Sequence, residues 1–245
     1  MKPYPVYIGG GAGNQSVVLL SPSTANTLSS WVSFGTTLFP FDTLIIVFDG
    51  TLANTIQNSL MNIGIGPSGS QSVLIPNVPI IGQSGSDGYT PNFTATFRVP
   101  LQDAGTQIWG QIQSTYAGFA PRVSLAYQHS GISASALYNL GAVTSSSSGT
   151  QVSTGSGAYG SWVSMGTLPV PKKHLVYASS RDVSSLNTIN IGIGPSGSVT
   201  PVLVNLPIIL NSLLFPIDAD FPPGEYWIQA QGSEVATLYT DLIFS

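Results

Sequence analysis

The sequence predicts an all-β chain made of two tandem homologous antiparallel β-sandwich (jelly-roll-like) domains that arose by internal duplication. Three observations predict it. The stretch NIGIGPSGS occurs twice, at Asn62–Ser70 and Asn190–Ser198, and all four tryptophans fall into two equivalent pairs. Short segments rich in Val, Ile, Thr and aromatics alternate with clusters of Gly, Pro, Ser and Asn, the pattern of sandwiches and jelly rolls.

The duplication extends outward from the repeated nonapeptide. Tyr7 pairs with Tyr138 and Gly10 with Gly141, and WVSFGT at Trp31–Thr36 pairs with WVSMGT at Trp162–Thr167, all at an offset of 131. The nonapeptides follow at an offset of 128, and the Trp109 and Trp227 segments align at 118. The first copy therefore carries about 13 extra residues, most of them in GQSGSDGYTPNF (Gly82–Phe93), and insertions of this kind fall in loops. The expected boundaries are 1–127 for copy 1 with an N-terminal arm, 128–136 for the linker QHSGISASA, and 137–245 for copy 2. A period this long is a domain duplication and not a solenoid.

Strands are expected at Thr43–Phe48, Ser72–Ile75, Phe93–Val99, Ile108–Gln113 and Val123–Tyr127 in copy 1. In copy 2 they are expected at Leu175–Ala178, Val202–Val204, Tyr226–Gln231 and Ala236–Tyr239. Leu52–Leu60 is the one segment that suggests a helical turn or two, and Thr144–Gly157 reads as a long Gly/Ser-rich loop.

Composition narrows the function. Charged residues make up 7% of the 245 positions, against about 25% in ordinary domains, and the net charge is -4. No basic face exists for nucleic acid. Lys172-Lys173-His174, the one basic cluster, reads as a solvated loop. The longest apolar run, Leu44–Phe48, is far short of a membrane helix, so no membrane insertion is expected. MKPYPVYIGGGAG has no apolar h-region and reads as no secretory signal. With no cysteine, disulfides and thiolate metal sites are excluded.

Each nonapeptide contains a literal G-x-G-x-x-G, but Pro76 and Pro201 stand where the helix of a dinucleotide fold would run. The structural reading explains more. Alternation sends Ile63, Ile65, Ile191 and Ile193 into two cores and leaves a bare face at Gly64, Gly66, Gly192 and Gly194. That face invites close approach, by an aromatic of the same domain, with Trp31 and Trp162 the expected residues, or by a partner chain or ligand. Gly-Pro-Ser-Gly suits a type I turn. GGGAG at Gly9–Gly13 reads as a flexible loop or docking arm.

No catalytic residue and no cofactor is expected. His129 and His174 have no counterpart in the other copy, and no G-x-S-x-G marks a nucleophile. Asp218, Asp220 and Glu225 form the one acidic cluster and read as a solvated turn before the Trp227 strand; the alternatives are a calcium site or a glycosidase pair, which Pro100, Gln102 and Gln107 cannot offer in copy 1. Tyr89, Tyr116, Tyr159 and the tryptophans are candidates for stacking on sugar, the basis of an alternative reading as a carbohydrate-binding module or lectin.

The paired segments VPLQDAGTQIWGQIQS and IDADFPPGEYWIQAQGS resemble a motif of bacteriophage virion proteins, in which a Gly turn precedes a strand ending in Gln. Copy 2 departs from it, with Asp218 at the proline position and Pro222-Pro223 before Gly224. Cys-free, charge-poor tandem β-sandwiches are similar to head decoration, head spike and tail or fibre proteins of tailed phages. The resemblance implies a non-enzymatic structural protein in the virion, assembled in the host cytoplasm. Its implied partners are capsid or tail proteins, further copies of itself, and a host glycan.

Overall fold

A computed structural model describes residues 5–8, 17–19, 23–49, 57–82, 93–181, 187–208 and 213–245. The chain is all-β and divides into two compact units. Unit 1 comprises Met1–Leu137, Thr144–Ser147 and Ser245, and unit 2 comprises Tyr138–Val143 and Ser148–Phe244.

Unit 1 contains β1 (Val6–Ile8), β2 (Val17–Val18), β3 (Val32–Thr36), β4 (Phe41–Asp49) and β5 (Gln57–Ile65), followed by β6 (Ser72–Gly82), β7 (Phe93–Gln102), β8 (Gln107–Ser114) and β9 (Arg122–Gln128). One sheet runs β1-β9-β4-β7 with β2 also on β9, and the other runs β3-β8-β5-β6. Unit 2 contains β10 (Tyr138–Leu140), β11 (Thr150–Ser156), β12 (Val163–Leu168), β13 (Lys172–Arg181) and β14 (Asn187–Ile193), followed by β15 (Thr200–Ile208), β16 (Leu213–Phe221), β17 (Gly224–Gly232) and β18 (Thr237–Phe244). The pairings repeat: β10 on β18, β18 on β13 and β13 on β16 in one layer, β12 on β17, β17 on β14 and β14 on β15 in the other.

With β2 and β11 set aside, each unit places eight strands in the orders 1-8-3-6 and 2-7-4-5, the wrapped order of a jelly roll. Only β11 breaks the antiparallel rule among the strand pairs described, running parallel to β17 while pairing antiparallel with β18.

Alternation builds the cores. In β4, Leu44, Ile46 and Phe48 are buried, and they meet Phe97 of β7 and Leu125 of β9. In unit 2, Leu175, Tyr177, Ile191, Tyr226, Ile228 and Phe244 form the equivalent centre. The cores also differ by a size exchange at one matched place. Gly110 of β8 faces Val32 of β3 as Ile228 of β17 faces Val163 of β12. Room beside Gly110 is taken by Phe34, where unit 2 has the slimmer Met165.

Four expectations need correction. Thr144–Gly157 is not a loop: Thr144–Ser146 form a 3-10 turn and Thr150–Ser156 are β11. Its Val152 and Thr154 face inward, and the Thr154 hydroxyl donates to Glu234 O at 2.7 Å, which lets a Ser/Thr-rich strand be buried. Gln57–Leu60 of the suspected helical turn belong to β5, while 52–56 lie outside the described residues. Within the N-terminal arm, Val6–Ile8 pair with β9. The basic cluster is not a solvated loop, since Lys172 and His174 point inward from β13 and only Lys173 is exposed. Lys172 Nζ sits 5.0 Å from the centre of the Tyr138 ring, and His174 Nδ1 is 2.7 Å from Asp218 Oδ1. Burial lowers the Lys172 pKa from its ordinary value. GGGAG and most of the Gly82–Phe93 insertion, Tyr89 included, lie outside the described residues.

Candidate functional site

The twice-occurring NIGIGPSGS organises the same group of contacts in each unit. Ile63 and Ile191 are fully buried, Ile65 and Ile193 half-buried, and the intervening glycines face the other way. A Cβ on Gly64 would lie 2.7 Å from Trp31 Cη2, and one on Gly192 would lie 2.9 Å from Trp162 Cη2. Each indole thus rests on a glycine where a side chain has no room. The second tryptophan of each unit pins the turn that follows the strand: Trp109 Nε1 donates to Gly66 O and Trp227 Nε1 to Gly194 O, both at 2.7 Å.

The leading asparagine fixes a bulge in the neighbouring strand. Asn62 Oδ1 accepts the Asn77 N–H and Asn190 Oδ1 the Asn205 N–H, each at 2.8 Å. Asn77 and Asn205 have φ of 51° and 54°, a left-handed conformation that asparagine tolerates. The turn sits one residue later than a type I turn at Gly-Pro-Ser-Gly requires. Its hydrogen bond runs from Ser70 N to Pro67 O, and from Ser198 N to Pro195 O, at 3.0 Å. Gly69 and Gly197 occupy the third position with φ of 83° and 82°, which is type II geometry.

The acidic trio does not gather into one site. Asp218 engages His174, Glu225 Oε1 accepts the Ser164 hydroxyl at 3.0 Å, and among the described residues no group of three His, Asp or Glu side chains is placed to hold a metal ion. Among the described residues, no helix is long and apolar enough to cross a membrane. Tyr116 is exposed, whereas the Tyr159 hydroxyl donates to Asn205 Oδ1 at 2.5 Å and is committed to the bulge.

Sequence reasoning missed one polar centre. Asp42, buried at the start of β4, accepts hydrogen bonds from Ser130 N at 2.7 Å, Ser130 Oγ at 2.8 Å, Gly131 N at 2.8 Å and Thr43 Oγ1 at 3.0 Å. Burial alone would raise its pKa, but these hydrogen bonds outweigh burial and hold it below its ordinary value. His129 Nδ1 lies 3.1 Å from Asp42 Oδ2. The three residue types of a nucleophile relay are therefore adjacent, yet the Ser130 hydroxyl is spent on the carboxylate and not on the imidazole. The centre clamps residues 130–131 to unit 1. An Asp shortly before a strand and a Ser-Gly pair far downstream gave no pattern that would connect them.

No family model and no curated protein matches the chain. Among solved structures it is similar to the STIV MCP of Sulfolobus Turreted Icosahedral Virus, with 11% identity over 98% of this chain and 95% of that one, at a TM-score of 0.41. It is similar to the infectious bursal disease virus Gx strain structure, with 11% identity over 98% and 68% of the two chains and a TM-score of 0.31. It is also similar to the CBM22-1–CBM22-2 tandem domain of Paenibacillus barcinonensis Xyn10C, with 10% identity over 96% and 100% and a TM-score of 0.26.

Proposed function

We propose that the chain is a non-enzymatic structural protein of a phage virion, docking on the capsid or tail and decorating or extending the particle surface. The observation that carries this reading is a difference between two matched edge strands. In β6 of unit 1, Leu74 and Pro79 are buried. At the same positions of β15 in unit 2, Val202 is 43% exposed and Pro207 is exposed, and the neighbouring Val204 is 57% exposed. An apolar strip at a sheet edge, in a chain with so few charges to guard it, suits a lasting protein contact. A jelly roll alone does not imply a coat role, so the weight rests on this strip. The separate engagements of Asp218, Glu225 and Ser130 support the non-enzymatic part of the reading.

The test uses virions of the phage that encodes this chain. Detergent-dissociated particles should show a band of 25.5 kDa, and the recombinant chain should bind particles that lack it. Val202→Glu with Val204→Glu should abolish binding without unfolding unit 2. Particles with no such band and no affinity for the recombinant chain overturn the reading.

A further inference from the structure

We propose that unit 1 carries a binding pocket for a neutral carbohydrate, formed where the turn after β5 meets the turn between β7 and β8. This goes beyond the virion role and does not depend on it. The two turns enclose a cleft of about 410 Å³, within the usual range for small-ligand sites. Its polar wall is Ser70, Gln102, Thr106 and Gln107, and Ile65 and Pro67 give it an apolar side. No charged side chain lines it. That lining carries no charge to match a phosphate, a carboxylate or a metal ion. Amides and hydroxyls can each donate and accept, as neighbouring sugar hydroxyls require, while Ile65 and Pro67 suit the C–H face of a pyranose ring.

The cleft is built before any ligand arrives. Gly66 N donates to Gln107 O at 3.2 Å, Trp109 Nε1 to Gly66 O at 2.7 Å, and Gly105 N to Thr37 O at 2.8 Å. Gly66 has a φ of 116°, and a Cβ there would lie 2.9 Å from Ser70 O, so the wall has one backbone arrangement. Thr106 Oγ1 is tied to Asp103 O at 2.7 Å and Gln102 Nε2 to Pro100 O at 2.9 Å. Both side chains are thereby held in place: the Thr106 hydroxyl keeps only its acceptor sites, while the Gln102 amide keeps its oxygen and its second N–H. A rigid site loses little entropy on binding, which lets a small polar contact set suffice.

Unit 2 supplies an internal contrast. Its residues matching Gln102, Thr106 and Gln107 are Asp220, Gly224 and Glu225, so two carboxylates replace two amides. Glu225 is moreover engaged by Ser164. The structure therefore assigns the neutral-sugar site to unit 1 alone.

The experiment uses the full chain, labelled with ¹⁵N and titrated with glucose, galactose, mannose and N-acetylglucosamine, alongside an array of neutral and charged glycans. Saturable amide shifts confined to residues 66–70 and 102–107, produced by a neutral sugar, are expected. Replacing both amides, Gln102→Asp with Gln107→Glu, should weaken that binding at least tenfold, while Asp220→Gln with Glu225→Gln should leave it unchanged. Mapping on the unsubstituted chain stands even if the acidic variant folds poorly. The proposal is overturned if no neutral glycan saturates the chain, if shifts map elsewhere, or if the folded acidic variant binds as before. None of these results bears on whether the chain docks on particles.

Discussion

Replacing Gly110 by alanine should destabilise unit 1 because the place of its missing side chain is already filled. A Cβ there would lie 2.7 Å from Phe34 Cε2, 2.9 Å from Leu19 Cδ2 and 3.1 Å from Phe34 Cζ, where carbon atoms ordinarily pack at about 3.5–4.0 Å. Both neighbours are buried, Phe34 at 4% exposure and Leu19 at 0%, so neither can swing into solvent. Overpacking of this kind costs about 1–3 kcal/mol. The unfolded chain loses freedom when glycine becomes alanine, which offsets about 0.4–1 kcal/mol. The net expected loss is therefore about 1.3 kcal/mol at the middle of these ranges, within limits of ~0–2.6 kcal/mol. Unit 2 shows how the core accommodates a side chain at this place, because Ile228 stands with Met165 where Gly110 stands with Phe34. In a Phe34→Met background the cost of Gly110→Ala should fall by about 1 kcal/mol or more, the size of coupling seen between touching residues. Urea titration followed by amide NMR at β3 and β8 reads unit 1 separately from unit 2. The same loss in both backgrounds would refute the size-exchange argument.

Two further outcomes follow from buried polar groups. The Asp241 carboxyl, wholly buried, is pushed up by that burial to about 8 from an ordinary 3.8, against the opposing effect of its hydrogen bond with Asn139. A group raised in this way contributes most below its unfolded value and loses the advantage as pH climbs. Unit 2 should accordingly lose stability from about pH 4 to about pH 8, by up to ~1.4 kcal/mol per pH unit from this group, and Asp241→Asn should flatten the profile. Equal slopes for the two proteins in pH-dependent urea melts would contradict this. Asn62→Ala and Asn190→Ala each remove the acceptor of a bulge N–H and should each cost about 1–3 kcal/mol, with faster hydrogen exchange at Asn77 and Asn205 respectively. Protection unchanged at both sites would show that the asparagines do not hold the bulges.

Much of the fold was legible because the chain states it twice. The nonapeptides and tryptophan pairs mark the same place in each unit; Gly64 and Gly192 lie beneath Trp31 and Trp162, whereas Gly66 and Gly194 face the backbone of Ser70 and Ser198. Strand ends were read short where a local signal opposed a tertiary one. The β6 strand continues through Pro76 and Pro79 because it is an edge strand, where a missing N–H costs no ladder bond. The β11 segment, TQVSTGS, has the composition of a linker, and only its partners reveal a strand. The charges of Lys-Lys-His suggest a loop, but alternation decides which way a strand residue points, and it turns Lys172 and His174 inward. The Asp42 clamp and the cleft beside Gln107 join residues brought together by topology, and no local window holds both halves.

The double membership of β11 has a mechanical consequence. Residues 150–153 pair with β18 and residues 154–156 with β17, so the strand passes from one layer of unit 2 to the other; at the matching place in unit 1, Val17 and Val18 pair with β9, while Asn26 and Ser29 donate to Ser114 O and Ile112 O of β8. Separating the layers of unit 2 along that seam requires one half of β11 to leave its partner strand. Unit 1 carries the same kind of bridge, made by single backbone bonds from Asn26 and Ser29 where unit 2 has a strand. The crossing segment is thus a stitch that both copies keep, and a force that parts the layers of either unit has to break it.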